Sequence, residues 1–96
     1  MTKEQVLEIT SSLKQELSDE FGVSKIGIFG SFARNENVES SDIDFVIELN
    51  KSNIFTMVHI KDKLESVFLT NVDLIQYRPN MNKLLKSRID SEAIYV

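Results

Sequence analysis

Gly22 to Leu49 reads GVSKIGIFGSFARNENVESSDIDFVIEL, and this stretch decides the fold. Its opening, Val23 to Phe29, is β-branched and aromatic enough for a short strand, which Gly30 and Ser31 then break. Ser31 is a good N-cap for a short helix through Phe32, Ala33 and Arg34, and the polar run Asn35, Glu36, Asn37 should end that helix within about two turns. From Asp42 to Leu49 the alternation is strict. Ile43, Phe45, Ile47 and Leu49 share one face; Asp42, Asp44, Val46 and Glu48 share the other, the pattern of a strand with a single apolar side.

Upstream, Thr2 and Gln5 form a capping-box pattern. Val6, Ile9, Leu13, Leu17 and Phe21 then recur at spacings of three and four, an apolar stripe that predicts a helix with Gly22 as its left-handed C-terminal cap. Downstream, Asn53 can cap a third helix bearing Met57, Ile60, Leu64, Val67 and Phe68, and Asn71 to Gln76 reads as another strand. Pro79 and Asn80 should start a last helix with Met81, Leu84, Leu85 and Ile89, leaving Ala93 to Val96 as a short closing strand. This alternating order predicts an α/β (α+β) fold, a small mixed β-sheet with helices packed on it, because each helix has one apolar face that needs cover. At 96 residues the expectation is a single domain, 1–96.

Composition narrows the function. The 42% hydrophobic and 27% charged residues belong to an ordinary globular domain, and the absence of cysteine excludes a disulfide framework and a thiolate zinc site. No apolar run approaches the ~18 residues of a membrane span, so a cytoplasmic protein without membrane partners is expected. Eleven basic residues against fifteen acidic ones give a net charge of -4, which argues against direct nucleic-acid binding, since that draws its affinity from clustered Lys and Arg.

Asp42 and Asp44, two apart on a strand, leave the same face with α-carbons about 6.5 Å apart. Asp73 can join them if its strand neighbours theirs, as sequential strands do about two-thirds of the time. Three carboxylates about 5 Å apart repel by about 3 kcal/mol per pair at an effective dielectric near 20, a penalty that a divalent cation removes. Hard oxygen donors without histidine or cysteine select Mg²⁺ or Mn²⁺ over zinc. Gly30 lets another group approach the backbone, and a helix start just after it is a common way of holding phosphate. Read separately, the acids also fit the solvated face of a strand, and the Gly-Ser pair an ordinary strand-to-helix turn. The combination is the specific signal.

Together these segments spell Gly30-Ser31-Phe32-Ala33-Arg34, six intervening residues, then Ser41-Asp42-Ile43-Asp44-Phe45-Val46. This closely resembles the signature of the polymerase-β-like nucleotidyltransferases, G-S-x-A-R-G followed by S-D-x-D-[LF]-x-V, and specifically their minimal, MntA-like group. The resemblance covers nearly the whole chain, with Val72-Asp73-Leu74-Ile75 fitting the third-carboxylate strand. Asn35 stands where the family has glycine, and asparagine tolerates left-handed backbone angles better than most residues.

The resemblance implies that Gly30 and Ser31 hold the phosphates of ATP, with Arg34 and Ser41 as further nucleotide contacts. It implies that Asp42, Asp44 and Asp73 form a catalytic triad binding two Mg²⁺ ions, Mn²⁺ being an alternative, and that Asp73 helps deprotonate the attacking hydroxyl. It further implies transfer of AMP to a protein acceptor, a tyrosine of a HEPN-type toxin, which the chain would neutralise as its antitoxin. Two other readings stand beside it: a non-catalytic module that masks its partner by contact, and transfer to a small molecule. Homo-oligomerisation is left open.

Overall fold

A computed structural model describes all 96 residues, Met1–Val96. Helix α1, Lys3–Phe21, starts at Thr2, whose hydroxyl accepts from the Gln5 amide at 3.2 Å while the Gln5 side chain accepts from the Thr2 amide at 2.8 Å. It ends at Gly22, whose φ of 73° turns the chain into β1, Val23–Phe29. A single helical turn, α2 at Gly30–Ala33, leads through a loop to β2, Ile43–Leu49. Then come α3, Ile54–Phe68, capped by Asn53, and β3, Val72–Gln76. The chain closes with α4, Lys83–Glu92, and β4, Ile94–Tyr95.

The sheet has the order β3-β2-β1-β4, with β1 antiparallel to β2 and β4, and β2 parallel to β3 through the α3 crossover. The mixed sheet with packed helices is therefore the expected fold. β4 approaches β1 so closely that a methyl group on Gly27 would lie 2.6 Å from the Ile94 carbonyl oxygen; only glycine admits the closing strand there.

On one face, Ile43, Phe45 and Ile47 of β2 meet Val6 and Leu17 of α1 and Ile60, Leu64 and Phe68 of α3, all essentially removed from water. Phe45 and Phe68 pack with ring centroids 5.4 Å apart and planes tilted by 48°. Thr10 is buried in the same helix face and its hydroxyl returns to the Val6 carbonyl at 2.6 Å, so the polar atom is satisfied within its own helix. Lys63 ties the two helices at the rim, 2.7 Å from Glu16 and 3.0 Å from Glu20.

The other face departs from expectation. Val46 is fully buried beside Phe29 and Ile89, under α4, so β2 is covered on both sides along part of its length. A lone valine among acids does not reveal a second core; the helix that covers it starts 37 residues later. That helix also begins later than expected, because Asn82 rather than the Pro79–Asn80 pair caps it, accepting from the Leu85 amide at 3.1 Å. At the start of α3, Ile54 and Phe55 are each 73% exposed. No helix is long and apolar enough to cross a membrane.

Candidate functional site

The strand register assembles the site. Antiparallel pairing sets Phe29 opposite Asp44, and parallel pairing sets Asp44 opposite Asp73. Directly paired residues point to the same side of a sheet, and neighbouring strands lie about 4.8 Å apart. Asp44 and Asp73 are thus adjacent at one end of the sheet, on the α4 face, with Asp42 just before β2 begins. Asp42 and Asp73 are exposed, whereas Asp44 is half-buried.

Electrostatics register this crowding. The Asp44 carboxyl is pushed above the ordinary aspartate range, first by burial and then by the charge of Asp73, with a smaller push from Asp42; Arg88 and Arg34 pull it back. No three acidic or histidine side chains stand close enough together as they are to cage a metal ion. Asp44 is the least exposed of the three aspartates. The donor set, carboxylate oxygens only, fits a hard divalent cation.

Gly30 sits against this cluster. Its φ is 73°, and a side chain there would collide with the carboxylate of Asp44, which lies over the glycine α-carbon. The group that Gly30 admits is therefore an acid of the same site, and the turn and the acids are in contact. Asn35 has a φ of 62°, the left-handed conformation expected where the family signature has glycine.

Two expected details differ. Phe29, not Ser31, stands at the N-cap of α2, no side chain caps that helix, and at four residues it is too short to present a substantial dipole. Ser41 is drawn into its own loop, its hydroxyl accepting from the Val38 amide at 2.9 Å and its amide donating to the Val38 carbonyl. Gly30, Asp42, Asp44 and Asp73 are thus gathered at one end of the sheet, Ser31 follows Gly30 with no capping role, and Ser41 precedes Asp42 in a loop that its hydroxyl helps close. Arg34 reaches the site's edge with its Nε on Glu36 at 2.8 Å and its Nη1 on Glu92 at 3.1 Å.

Glu92 is the residue the sequence concealed. The last residue of α4, it accepts from the Gly30 amide at 3.2 Å as well as from Arg34. No spacing rule links positions 30 and 92; only the pairing of Ile94 with Ile28 carries Glu92 back over the turn. The three aspartates line neither of the two hollows above 500 Å³, one beside Ser41 and Leu69 and one between Ile54 and Leu85.

Comparison with known proteins agrees with this architecture. The family model for polymerase beta nucleotidyltransferase matches residues 11–96. The protein adenylyltransferase MntA of Thermococcus cleftensis is 29% identical over 97 residues, spanning 100% of this chain and 97% of its own. A solved candidate minimal nucleotidyltransferase superposes with a TM-score of 0.80 at 25% identity, covering 98% of this chain and 95% of that one. A chain from the complex of a tri-AMPylated Shewanella oneidensis HEPN toxin with its MNT antitoxin superposes at 0.70 and 17% identity, covering 98% and 71%; at that identity the likeness is one of fold.

Proposed function

The chain belongs to the polymerase-β nucleotidyltransferase family, in its minimal, MntA-like group, and from that premise we propose that it transfers AMP from ATP to a tyrosine of a HEPN-type toxin and thereby neutralises it. The observation that carries this reading is the register that sets Asp44 beside Asp73 with the Gly30 turn against the Asp44 carboxylate. The adenylyltransferase name of the Thermococcus relative and the AMPylated toxin in the Shewanella complex support the acceptor class.

Asp42, Asp44 and Asp73 would hold divalent ions, Mg²⁺ or Mn²⁺. Two bound ions would neutralise the acids and the triphosphate and stabilise the entering and leaving oxygens of an in-line displacement. The remaining work belongs to the chain. Gly30 and Ser31 receive the β and γ phosphates at a turn whose Gly30 amide donates to Glu92 and whose α-carbon lies under the Asp44 carboxylate. Arg34, held by Glu36 and Glu92 through Nε and Nη1, keeps Nη2 for a phosphate oxygen. Asp73, exposed on the edge strand, would take the proton from the tyrosine hydroxyl as its oxygen bonds to the α-phosphorus and pyrophosphate leaves. An open acidic surface suits an acceptor that is itself part of a folded protein. We place the reaction in the cytoplasm, in keeping with a chain that lacks cysteine.

The test is mass spectrometry of the adjacent gene's product after incubation with this protein, ATP and Mg²⁺. A gain of one or more AMP units on tyrosine is expected. A masking role is favoured by one observation, the exposed Ile54, Phe55 and Val58 along α3, which suit stoichiometric contact. If the partner is bound and silenced with no added mass, masking replaces catalysis.

A further inference from the structure

The Gly30 turn is too short to hold itself in place. Its helix has four residues and no side-chain cap, and left-handed residues stand at both ends, Gly30 and Asn35. Phe32 anchors its middle in the core, and at its first residue the Gly30 amide is held by Glu92. That carboxylate is fixed from two directions, being the last residue of α4 and two residues before Ile94, which pairs with Ile28 on the strand that runs into Gly30. Its side chain is 20% exposed, against 38% for Arg34 and 63% for Glu36, so it is the best anchored partner of that guanidinium.

Arg34 has a choice of anions. Asp44 feels the Arg34 charge though no ion pair joins them, and a guanidinium freed of its glutamates would pair with that carboxylate. There it would occupy the positions a divalent cation needs. Glu92 and Glu36 instead engage Nη1 and Nε, and they leave Nη2 and the acid cluster unencumbered.

We propose that Glu92 is a positioning residue for nucleotide transfer: its carboxylate locks the Gly30 amide and Arg34 into the arrangement that receives the triphosphate and keeps the guanidinium off Asp42, Asp44 and Asp73. This rests on the nucleotidyltransferase reading of the same site. Glu92 touches neither substrate nor metal in this role; it acts through the groups that do.

The test uses the full chain, Mg²⁺ and a non-hydrolysable ATP analogue, with binding measured by calorimetry and folding by thermal melting. Glu92→Gln keeps an acceptor for the Gly30 amide while removing the charge that holds Arg34. It should weaken analogue binding roughly tenfold, the scale of a charge-assisted hydrogen bond, with little change in melting temperature. Glu92→Asp, which retains the charge on a shorter arm, should fall between the two and serves if the glutamine variant folds poorly. In an Arg34→Ala background, Glu92→Gln should cost nothing further, a non-additivity that a purely structural role does not produce.

Unchanged affinity in Glu92→Gln, or an equal loss with and without Arg34, overturns the inference. Tighter binding overturns it in another way, by making Glu92 a competitor for the phosphate seat. If the unmodified protein binds no Mg²⁺-nucleotide, the functional reading falls and this inference with it, an outcome distinct from failure of the variant alone.

Discussion

The two faces of the sheet are built on different terms. Under α1 and α3 lie thirteen buried apolar residues, and the helices there are joined across the rim by Lys63. Under α4 only Phe29, Val46 and Ile89 are fully buried, and beyond them the face is given to Asp42, Asp44 and Asp73, with Arg34, Arg88 and Glu92 around them. One face supplies the stability. The other spends some of it to hold like charges together, as sites for charged substrates commonly do.

The largest expected effect comes from exchanging charge on the second face. Asp44→Asn should lower AMP transfer roughly a thousandfold or more if the acids hold the catalytic ions. The same change should stabilise the metal-free protein. Because the folded-state pKa of Asp44 lies above its unfolded value, its ionisation costs stability as pH rises through that interval, a cost the neutral asparagine does not carry. The metal-free Asp44→Asn protein should therefore melt at a higher temperature than the parent. An active Asp44→Asn protein, or one that melts lower, breaks the comparison.

Truncation on the first face tests the opposite property. Phe45→Ala, at a fully buried position against Phe68, should cost about 3–5 kcal/mol in urea unfolding, enough to leave much of the chain unfolded at 25 °C. A loss below about 1 kcal/mol would mean that this core is not the source of stability.

Gly30→Ala probes the contact between turn and acids. A left-handed alanine costs about 1–2 kcal/mol, and its methyl group must displace the Asp44 carboxylate. Activity should therefore fall further than the modest drop in melting temperature suggests. The smallest effect has the other sign. Leu69, 86% exposed, closes α3 with a φ of 56°, so Leu69→Gly should stabilise by about 0.5–1 kcal/mol in the same unfolding assay.

How far the sequence announces this division follows from the range of each interaction. Local signals were readable: the Thr2–Gln5 capping box, the Gly22 cap, the alternation of β2, and the third aspartate one crossover helix away at Asp73. The left-handed Asn35 stands where the family signature has glycine, a conformation asparagine tolerates better than most residues. What could not be read depended on α4. Val46 looks like a surface position until that helix covers it, and Glu92 joins Gly30 only through edge-strand pairing 62 residues away. Competition between nearby polar groups hid the rest. Asn82 outcompeted Pro79 and Asn80 as a cap, and the Ser41 hydroxyl accepts from the Val38 amide in its own loop.

The central claim is that the acids of the second face are a seat for metal-bound nucleotide, and thermal melting with Mg²⁺ and a non-hydrolysable ATP analogue tests it most directly. At a hundredfold excess over the dissociation constant, binding adds about 2.7 kcal/mol, so the melting temperature should rise on the order of 10 °C. The Asp42→Asn, Asp44→Asn double variant should show no rise. An equal rise in both proteins, or none in either, would contradict the account.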